Sequence, residues 1–153
     1  MATAAAIEGV ERAYWMSVLA QASPAELAAA WSERVDRPAY QHLRRPETGL
    51  VMVRARARGA GPRFNLGEMP VTRCSVKLED GSIGHSYVAG RNHAHAELAA
   101  VLDALFQDPT RRAEVEEAII RPLAARQAAR RRGRATRNTP ARPELLASVH
   151  GEG

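Results

Sequence analysis

One cysteine and one histidine are the residues of this chain that best match nucleophilic catalysis. Cys74 and His85 lie in two consecutive β-prone runs. A thiolate-imidazole pair would need hydrogen-bond contact and a third group to orient the ring. The predicted strand pairing puts Cys74 opposite Tyr87, with His85 on the diagonal. We therefore interpret Cys74 and His85 as structural polar residues of an apolar core, where a cysteine behaves as a small hydrophobe.

A second set of potential ligands, His93, His95 and Glu97, follows the last of these strands. Residues two apart on a helix diverge by about 200°, so only His93 and Glu97 share a face. Two ligands do not complete a zinc site. We predict no metal site and assign structural polar roles to His95 and Glu97. The glycine-containing segment GAGPRFNLGE lacks the spacing and the lysine of a phosphate loop, so we assign its glycines to turns.

Arginines are the remaining candidates for binding. The candidate anion-binding or partner-contacting residues are Arg54, Arg56, Arg73 and Arg91. Those on the strands, together with Arg58 and Lys77, could form one strip across a sheet face and bind phosphates or phosphonates bidentately. The alternative is an ordinary solvated face, and the residues alone leave both interpretations open.

Three predicted strands position these side chains. From Gly49 to Arg58 apolar Val51 and Val53 alternate with Met52 and the arginines, which is the period of a strand. Runs at 71–78 and 83–89 flank Asp80-Gly81, a pair typical of a two-residue hairpin turn. A two-residue loop would pair Leu78 with Ile83, Val76 with His85 and Cys74 with Tyr87. These six would share the apolar face, and Arg73 and Lys77 would lie on the other.

Helices are predicted on both sides of the strands. Apolar residues at helical spacing, including Ile7, Val10 and Tyr14, indicate an amphipathic first helix. Ser23-Pro24-Ala25-Glu26 has the pattern of a capping box that starts a second helix, which we expect to end at Arg37-Pro38. Residues 36–46 are predicted as loop. Asn92 should cap a third helix, in which Asp103 points away from a buried stripe of His95, Leu98, Leu102 and Leu105. Asp108-Pro109 should start another helix. Beyond Gln127 we expect frayed helix passing into coil, and then an apolar hook, PELLASVH.

Charge and composition limit the class of protein. The eight arginines between Arg121 and Arg142 come without any acidic residue, and the rest of the chain has 14 basic and 17 acidic residues. The positive charge therefore belongs to the tail, and either a polyanionic partner or an arginine-rich genomic composition explains it. The single cysteine excludes an internal disulfide. The first residues do not resemble a secretion signal, and no apolar run reaches transmembrane length, so we expect a cytoplasmic protein.

With these residues laid out, the chain resembles the G subunit of the bacterial carbon-phosphorus lyase core complex. The matching segments, spread over residues 13 to 125, are YWMSVLAQASPAEL at 14–27, ETGLVMVRAR at 47–56, FNLGE at 64–68, VTRCSVKLEDGSIGHSYVAGR at 71–91 and HAELAAVLDAL at 95–105. None of these segments is a catalytic motif, but their order and spacing are specific. The C-terminal end departs from the family: PELLASVH stands where an aromatic, apolar strip is common, and the arginine run before it is unusual.

The resemblance implies a cytoplasmic subunit that assembles with the H, I and J subunits, with two copies of each. In that family the complex, assisted by an ATP-binding-cassette-type protein, replaces the adenine of ATP with an alkylphosphonate to give a ribose 1-phosphonate 5-triphosphate. The I subunit carries the nucleosidase chemistry. The J subunit later cleaves the carbon-phosphorus bond with an iron-sulfur cluster and S-adenosylmethionine. The resemblance assigns no catalytic residue and no bound cofactor to the G subunit, since ATP is a substrate of the complex.

The sequence thus predicts an α+β fold: an N-terminal helical hairpin, a three-stranded antiparallel meander, two or three C-terminal helices and a flexible arginine-rich tail. We expect one domain over 1–125 and an extension with the hook over 126–153. The predicted function is that of a non-autonomous subunit in phosphonate processing. The alternative is a nucleic-acid-binding module that uses the arginine-rich tail and the helical hairpin.

Overall fold

The computed structural model describes residues 4–34, 37–56 and 61–137, and side chains from residue 11 onward. The elements in chain order are α1 (Ala4–Gln21), α2 (Pro24–Ser32), β1 (Tyr40–Arg56), β2 (Arg63–Leu78), β3 (Ile83–Ala89), α3 (His93–Gln107), α4 (Pro109–Val115), a π-helical turn (Glu116–Ile120) and α5 (Arg121–Arg137). The predicted α+β architecture, with a helical pair, an antiparallel meander and C-terminal helices, is confirmed.

The helix starts predicted from capping residues are confirmed. The Ser23 hydroxyl accepts from the Glu26 amide, and the Glu26 carboxylate accepts from the Ser23 amide, which is a complete capping box. The Asn92 side chain caps α3, and the Asp108 side chain caps α4. α2 ends at Ser32, five residues before Arg37, so the predicted end of that helix was too late.

The sheet has the order β1-β2-β3. β1 and β2 are longer than predicted, whereas β3 has the predicted bounds. β1 begins at Tyr40, so the loop predicted over 36–46 is wrong for residues 40–46. Two register shifts, between His42 and Arg44 and between Arg44 and Glu47, let this edge strand accommodate Pro46. β2 begins at Arg63, eight residues before the predicted start, so Gly67, which was assigned to a turn, lies in a strand.

The predicted hairpin register is wrong by one residue. Lys77 pairs with Ile83, Ser75 with His85 and Arg73 with Tyr87. The loop has three residues: the Gly81 amide donates to the Leu78 carbonyl, and the Leu78 amide donates to the Ser82 carbonyl. Gly81 closes the loop at φ +90°, a value that favours glycine.

Because side chains alternate along a strand, a one-residue slip moves all of β3 to the opposite face. Gly84, Ser86 and Val88 lie in the core, whereas Ile83, His85 and Tyr87 are exposed. The prediction that His85 is a core residue is therefore wrong. The face of β2 was predicted correctly, with Cys74, Val76 and Leu78 buried, and with Arg73 and Lys77 exposed on the other side.

α3 is the centre of the core. From Ala99 to Phe106 every side chain is buried, and the helix packs on β2 and β3 and contacts α1, α2 and α4. Small residues allow a close approach to the sheet: a Cβ built on Gly84 would overlap the carbonyl oxygen of Ala100 and lie 2.6 Å from the amide nitrogen of Ala104. The side chain of Trp15 on α1 packs on Phe106, with ring centroids 4.3 Å apart.

α5 (Arg121–Arg137) continues without a break across the predicted boundary at 125/126. Beyond Gln127 the chain was expected to be frayed helix passing into coil, and it is helical as far as the described residues reach. Gln127 is buried and donates to the carbonyl of Val18 on α1. The predicted hook PELLASVH lies outside the described residues. Among the described helices, none combines the length and the apolar character needed to span a membrane.

Candidate functional site

The uncovered face of the sheet carries an ion-pair cluster around Arg73. The Arg73 Nε and the Arg44 Nη1 each donate to the Glu47 Oε1 at 2.6 Å. These two hydrogen bonds hold the pKa of the Glu47 carboxyl below its usual range, with the Arg44 bond contributing most. The pKa of Arg73 is raised mainly by a hydrogen bond with the facing Tyr87 and, to a smaller extent, by the bond to Glu47. Arg73 is therefore a fixed cation between an acid and a phenol.

Arg73 also lines an open cleft of about 350 Å³ on this face. The other residues around it include Glu47, Gly49, Val51, Val71 and Tyr87. Tyr87 is 59% exposed, which places an aromatic ring and a guanidinium side by side at the surface. A planar cation next to an aromatic ring suits a carboxylate or a phosphate group, and it equally suits a partner protein surface.

The other candidate arginines lie elsewhere. β1 is paired residue by residue from Glu47 to Arg56, because the register shift after Val53 is an extra residue in β2. Side chains alternate along β1, and Glu47 points to the face of Arg73. Arg54 and Arg56 therefore lie with Thr48 on the opposite face. Arg91 is exposed in the connection between β3 and α3. The hypothesis of a single cationic strip is wrong for the described residues, because Arg54 and Arg56 lie on the face opposite to that of Arg73 and Lys77. Arg58, which was also predicted to belong to the strip, lies outside the described residues.

His85 contacts Ser75 across the strands, with its Nδ1 2.8 Å from the hydroxyl oxygen. It has no contact with Cys74, which lies on the opposite face of the sheet. Cys74 is 1% exposed, and its Sγ donates to the Arg44 carbonyl. Burial, followed by the nearby Glu97 carboxylate, raises the pKa of Cys74 to about 11. The thiol is therefore held protonated at neutral pH, as is typical of a buried structural cysteine and not of a nucleophile.

Glu97 and His95 both join α3 to the rest of the fold. Glu97 accepts from the Tyr40 hydroxyl at 2.6 Å and pairs with the His42 Nε2 at 3.0 Å, which ties α3 to β1. Burial and the Glu97 contact raise the pKa of Tyr40 to about 12. The Nε2 of the buried His95 lies 2.9 Å from the Leu19 carbonyl oxygen on α1. Over the described residues, no three His, Cys, Asp or Glu side chains are grouped as metal ligands.

Among the described residues, Asp103 has the most side-chain hydrogen bonds, and the sequence analysis missed its role because it predicted that Asp103 points away from the buried stripe of α3. It is completely buried. It accepts from the Trp15 indole, from two nitrogens of the Arg12 guanidinium and from the backbone amide of His85. The last of these bonds covers a free edge of the sheet. A lone Asp in the apolar run AAVLDALF was the available signal.

Comparison with known proteins decides the family. Residues 10–145 match the family model described as phosphonate metabolism protein PhnG. The chain belongs to the PhnG family. A relative from Rhizobium meliloti (strain 1021), named alpha-D-ribose 1-methylphosphonate 5-triphosphate synthase subunit PhnG, is 43% identical over 142 residues, which cover 93% of this chain and 90% of that protein.

The PhnG match extends beyond the segments that carried the resemblance and includes all of α5. The arginine-rich helix is therefore within the region that the family model describes. The family is described by phosphonate metabolism and the relative by a methylphosphonate triphosphate synthase, and neither supports the nucleic-acid-binding alternative.

Proposed function

We propose that this chain is the G subunit of an α-D-ribose 1-methylphosphonate 5-triphosphate synthase that acts in phosphonate breakdown. The observation that carries the proposal is the 43% identity to a named subunit of that synthase, over nearly the full length of both chains. The proposed partners are the H, I and J subunits of the carbon-phosphorus lyase core complex, with two copies of each in a cytoplasmic hetero-oligomer.

The reaction of the complex is a transfer at the anomeric carbon of ATP. The bond from ribose C1′ to adenine N9 breaks, a phosphonate oxygen bonds to C1′, and adenine leaves with a proton. We propose that this chain supports the reaction by assembly and positioning, and that it has no turnover and no bound cofactor of its own. Supporting this, its most buried carboxylate and its thiol have structural contacts: Asp103 joins α1 to β3, and Cys74 is held protonated.

Arg73 is the side chain of this chain that we propose contacts either an acidic group of a partner subunit or an anionic group of the substrate. Three features support that role: its place in an open cleft, its contact with an exposed tyrosine, and its orientation by Glu47. The guanidinium can form two parallel hydrogen bonds to a carboxylate or phosphonate, which a lysine ammonium cannot reproduce.

The subunit assignment is tested by coexpression with the H, I and J subunits of the same organism. We expect copurification, and release of adenine from ATP and methylphosphonate once the ATP-binding-cassette-type protein is added. The complex without this chain, and this chain without the complex, should each be inactive. Failure to copurify would refute the assignment, and adenine release by the lone chain would refute the positioning role.

Arg73→Lys tests the proposed contact, and Arg44→Lys is its matched control. Both arginines donate to the same oxygen of Glu47 at the same distance, and their side chains are 45% and 47% exposed. We expect Arg73→Lys to lower complex formation or adenine release about tenfold or more, as the loss of a charged hydrogen bond would. Arg44→Lys should stay within about twofold. Equal effects of the two variants would show that Arg73 only anchors Glu47.

A further inference from the structure

The two longest strands extend beyond the rest of the sheet as a two-stranded arm. We define the arm as residues 50–56 of β1 and 63–70 of β2. β3 pairs with β2 only between Val71 and Lys77, so within the described part of the chain no third strand lies beside the arm. At about 3.3 Å per residue, the seven arm residues of β1 extend roughly 23 Å.

The arm is unusually apolar for an exposed element. Nine large hydrophobic side chains are exposed in the described part of the chain, and five of them are in the arm: Leu50, Val51, Met52, Phe64 and Leu66. Leu66 is the most exposed of all, at 66%. It is the extra residue of a bulge, because Val53 pairs with Gly67 while Arg54 pairs with Asn65. Scattered apolar residues are normal on a surface, but a contiguous group marks an interface.

Both faces of the arm contribute to this surface. The strand pairing puts Val51, Val53 and Ala55 on one face with Phe64 and Met69. Leu50 and Met52 lie on the reverse face. A two-stranded ribbon is only marginally stable in water by itself. An arm with apolar side chains on both faces therefore fits a groove that encloses it better than a flat surface that covers one side.

Charge decides what kind of surface the groove belongs to. From Gly49 to Val71 the sequence has four arginines and a single acidic residue, Glu68. Arg54, Arg56 and Arg63 lie at the distal half of the arm on one face, because Arg56 pairs with Arg63. None of the carboxylates in the described residues forms an ion pair with these three arginines. A second copy of the arm would repel this one, whereas carboxylates at the rim of a groove would attract it.

We propose that the arm inserts into an apolar groove with a carboxylate rim on another subunit of the synthase. The proposal rests on the proposed function, which supplies the partner subunits. It differs from the role of Arg73, because the distal arm side chains, Phe64, Leu66 and the arginines, do not line the Arg73 cleft. The arm anchors the chain in the complex, and the cleft at its base comes to lie at the edge of that interface.

The apolar part of the proposal is tested by titrating the full chain into the complex of the other subunits and measuring Kd. The test variant is Phe64→Ser with Leu66→Ser, whose side chains are 46% and 66% exposed. The matched control is Tyr14→Ser with Leu43→Ser, which are 57% and 54% exposed on the body of the protein. We expect Kd to rise roughly tenfold or more for the arm variant, as at interface hot spots, and less than about twofold for the control.

The charged part is tested by Arg54→Glu with Arg56→Glu. We expect a higher Kd and a weaker dependence of Kd on salt, because attraction between exposed charges is screened by ions. The control is Arg131→Glu with Arg132→Glu, an equal change of charge on the exposed end of α5. Circular dichroism of each variant shows whether the fold is retained.

The outcomes separate the two proposals. If the unmodified chain does not bind the other subunits, the proposed function fails. If it binds, and the arm variants bind as tightly as their controls, the inference about the arm is wrong. If the arm variants lose self-association of the lone chain and keep binding to the complex, a second copy occupies the arm, which also overturns the proposal.

Discussion

Asp103→Asn is the substitution with the sharpest predicted effect on the fold. The carboxylate accepts four hydrogen bonds, and one of its oxygens serves both the His85 amide and the Arg12 Nη2. An asparagine can keep its oxygen toward the Trp15 indole, but its NH2 then faces those two donors. Each buried donor left without an acceptor costs about 1–3 kcal/mol. The Arg12 side chain is 34% exposed and can form hydrogen bonds with water instead, so the free energy lost there should be at the low end of this range.

The expected total is therefore about 2–4 kcal/mol, or a fall in Tm of roughly 5–15 °C for a domain of this size. Urea unfolding of the dilute chain, followed by tryptophan fluorescence, measures the loss, and Trp15 reports directly on the site. Glu79→Gln, at an exposed acid of the hairpin loop, is the control for a change of charge. Stability of Asp103→Asn within about 0.5 kcal/mol of the native chain, the usual range for surface substitutions, would refute the assignment of Asp103 as a buried structural acceptor.

Three further substitutions test other contacts. Gly84→Ala should destabilise the chain by several kcal/mol, because its Cβ would overlap the backbone of α3, whereas Gly49→Ala has open space; similar melting of the two would disprove the close approach. Cys74→Ser should lower stability by about 1–3 kcal/mol and leave the assembled complex active, and the native thiol should resist a thiol reagent at pH 8 until urea is added. Arg130→Gln removes the main cause of the low pKa of Glu26, about 2 against an unfolded value of 4.5. The native chain should exceed the variant in free energy of unfolding by the full difference above pH 4.5, and this difference should disappear as the pH falls through about 2. A difference that stays constant across that range would contradict the ion pair.

The register of the hairpin is a feature that sequence periodicity alone does not predict. Alternation predicted the first strand, and β-prone runs on both sides of Asp80-Gly81 predicted the other two and their turn, but neither signal gives the number of residues in the loop. The deciding information lay in α3, whose backbone at Ala100 and Ala104 comes so close to β3 that only a glycine fits there. Gly84 therefore faces α3, alternation puts Ser86 and Val88 on the same face, and Ile83, His85 and Tyr87 point outward. Matching residue sizes between a strand and its covering helix would have corrected the register.

The polar residues divide in a similar way. Local signals sufficed for Ser23, Asn92 and Asp108, because a cap acts within three residues of its own position. Asp103 accepts from Arg12 and Trp15, some ninety positions away, and no local pattern encodes such contacts. Its helical phase suggested an outward face only because α3 was assumed to have one. A helix buried on all sides removes that assumption.

The arm shows the opposite limit, in which the pattern was right and its interpretation incomplete. The alternation from Gly49 to Arg56 correctly indicated a strand, yet an alternating strand normally buries its apolar face within its own domain. Here Val51 is 41% exposed and Met52, on the reverse face, is 49% exposed, so the described part of the chain buries neither side. Such a strand is selected for burial that occurs in assembly. An alternating strand whose apolar side chains have no partner within the chain is then a signal for an interface. In this subunit, the binding energy would come from a segment that contributes little to the stability of its own fold.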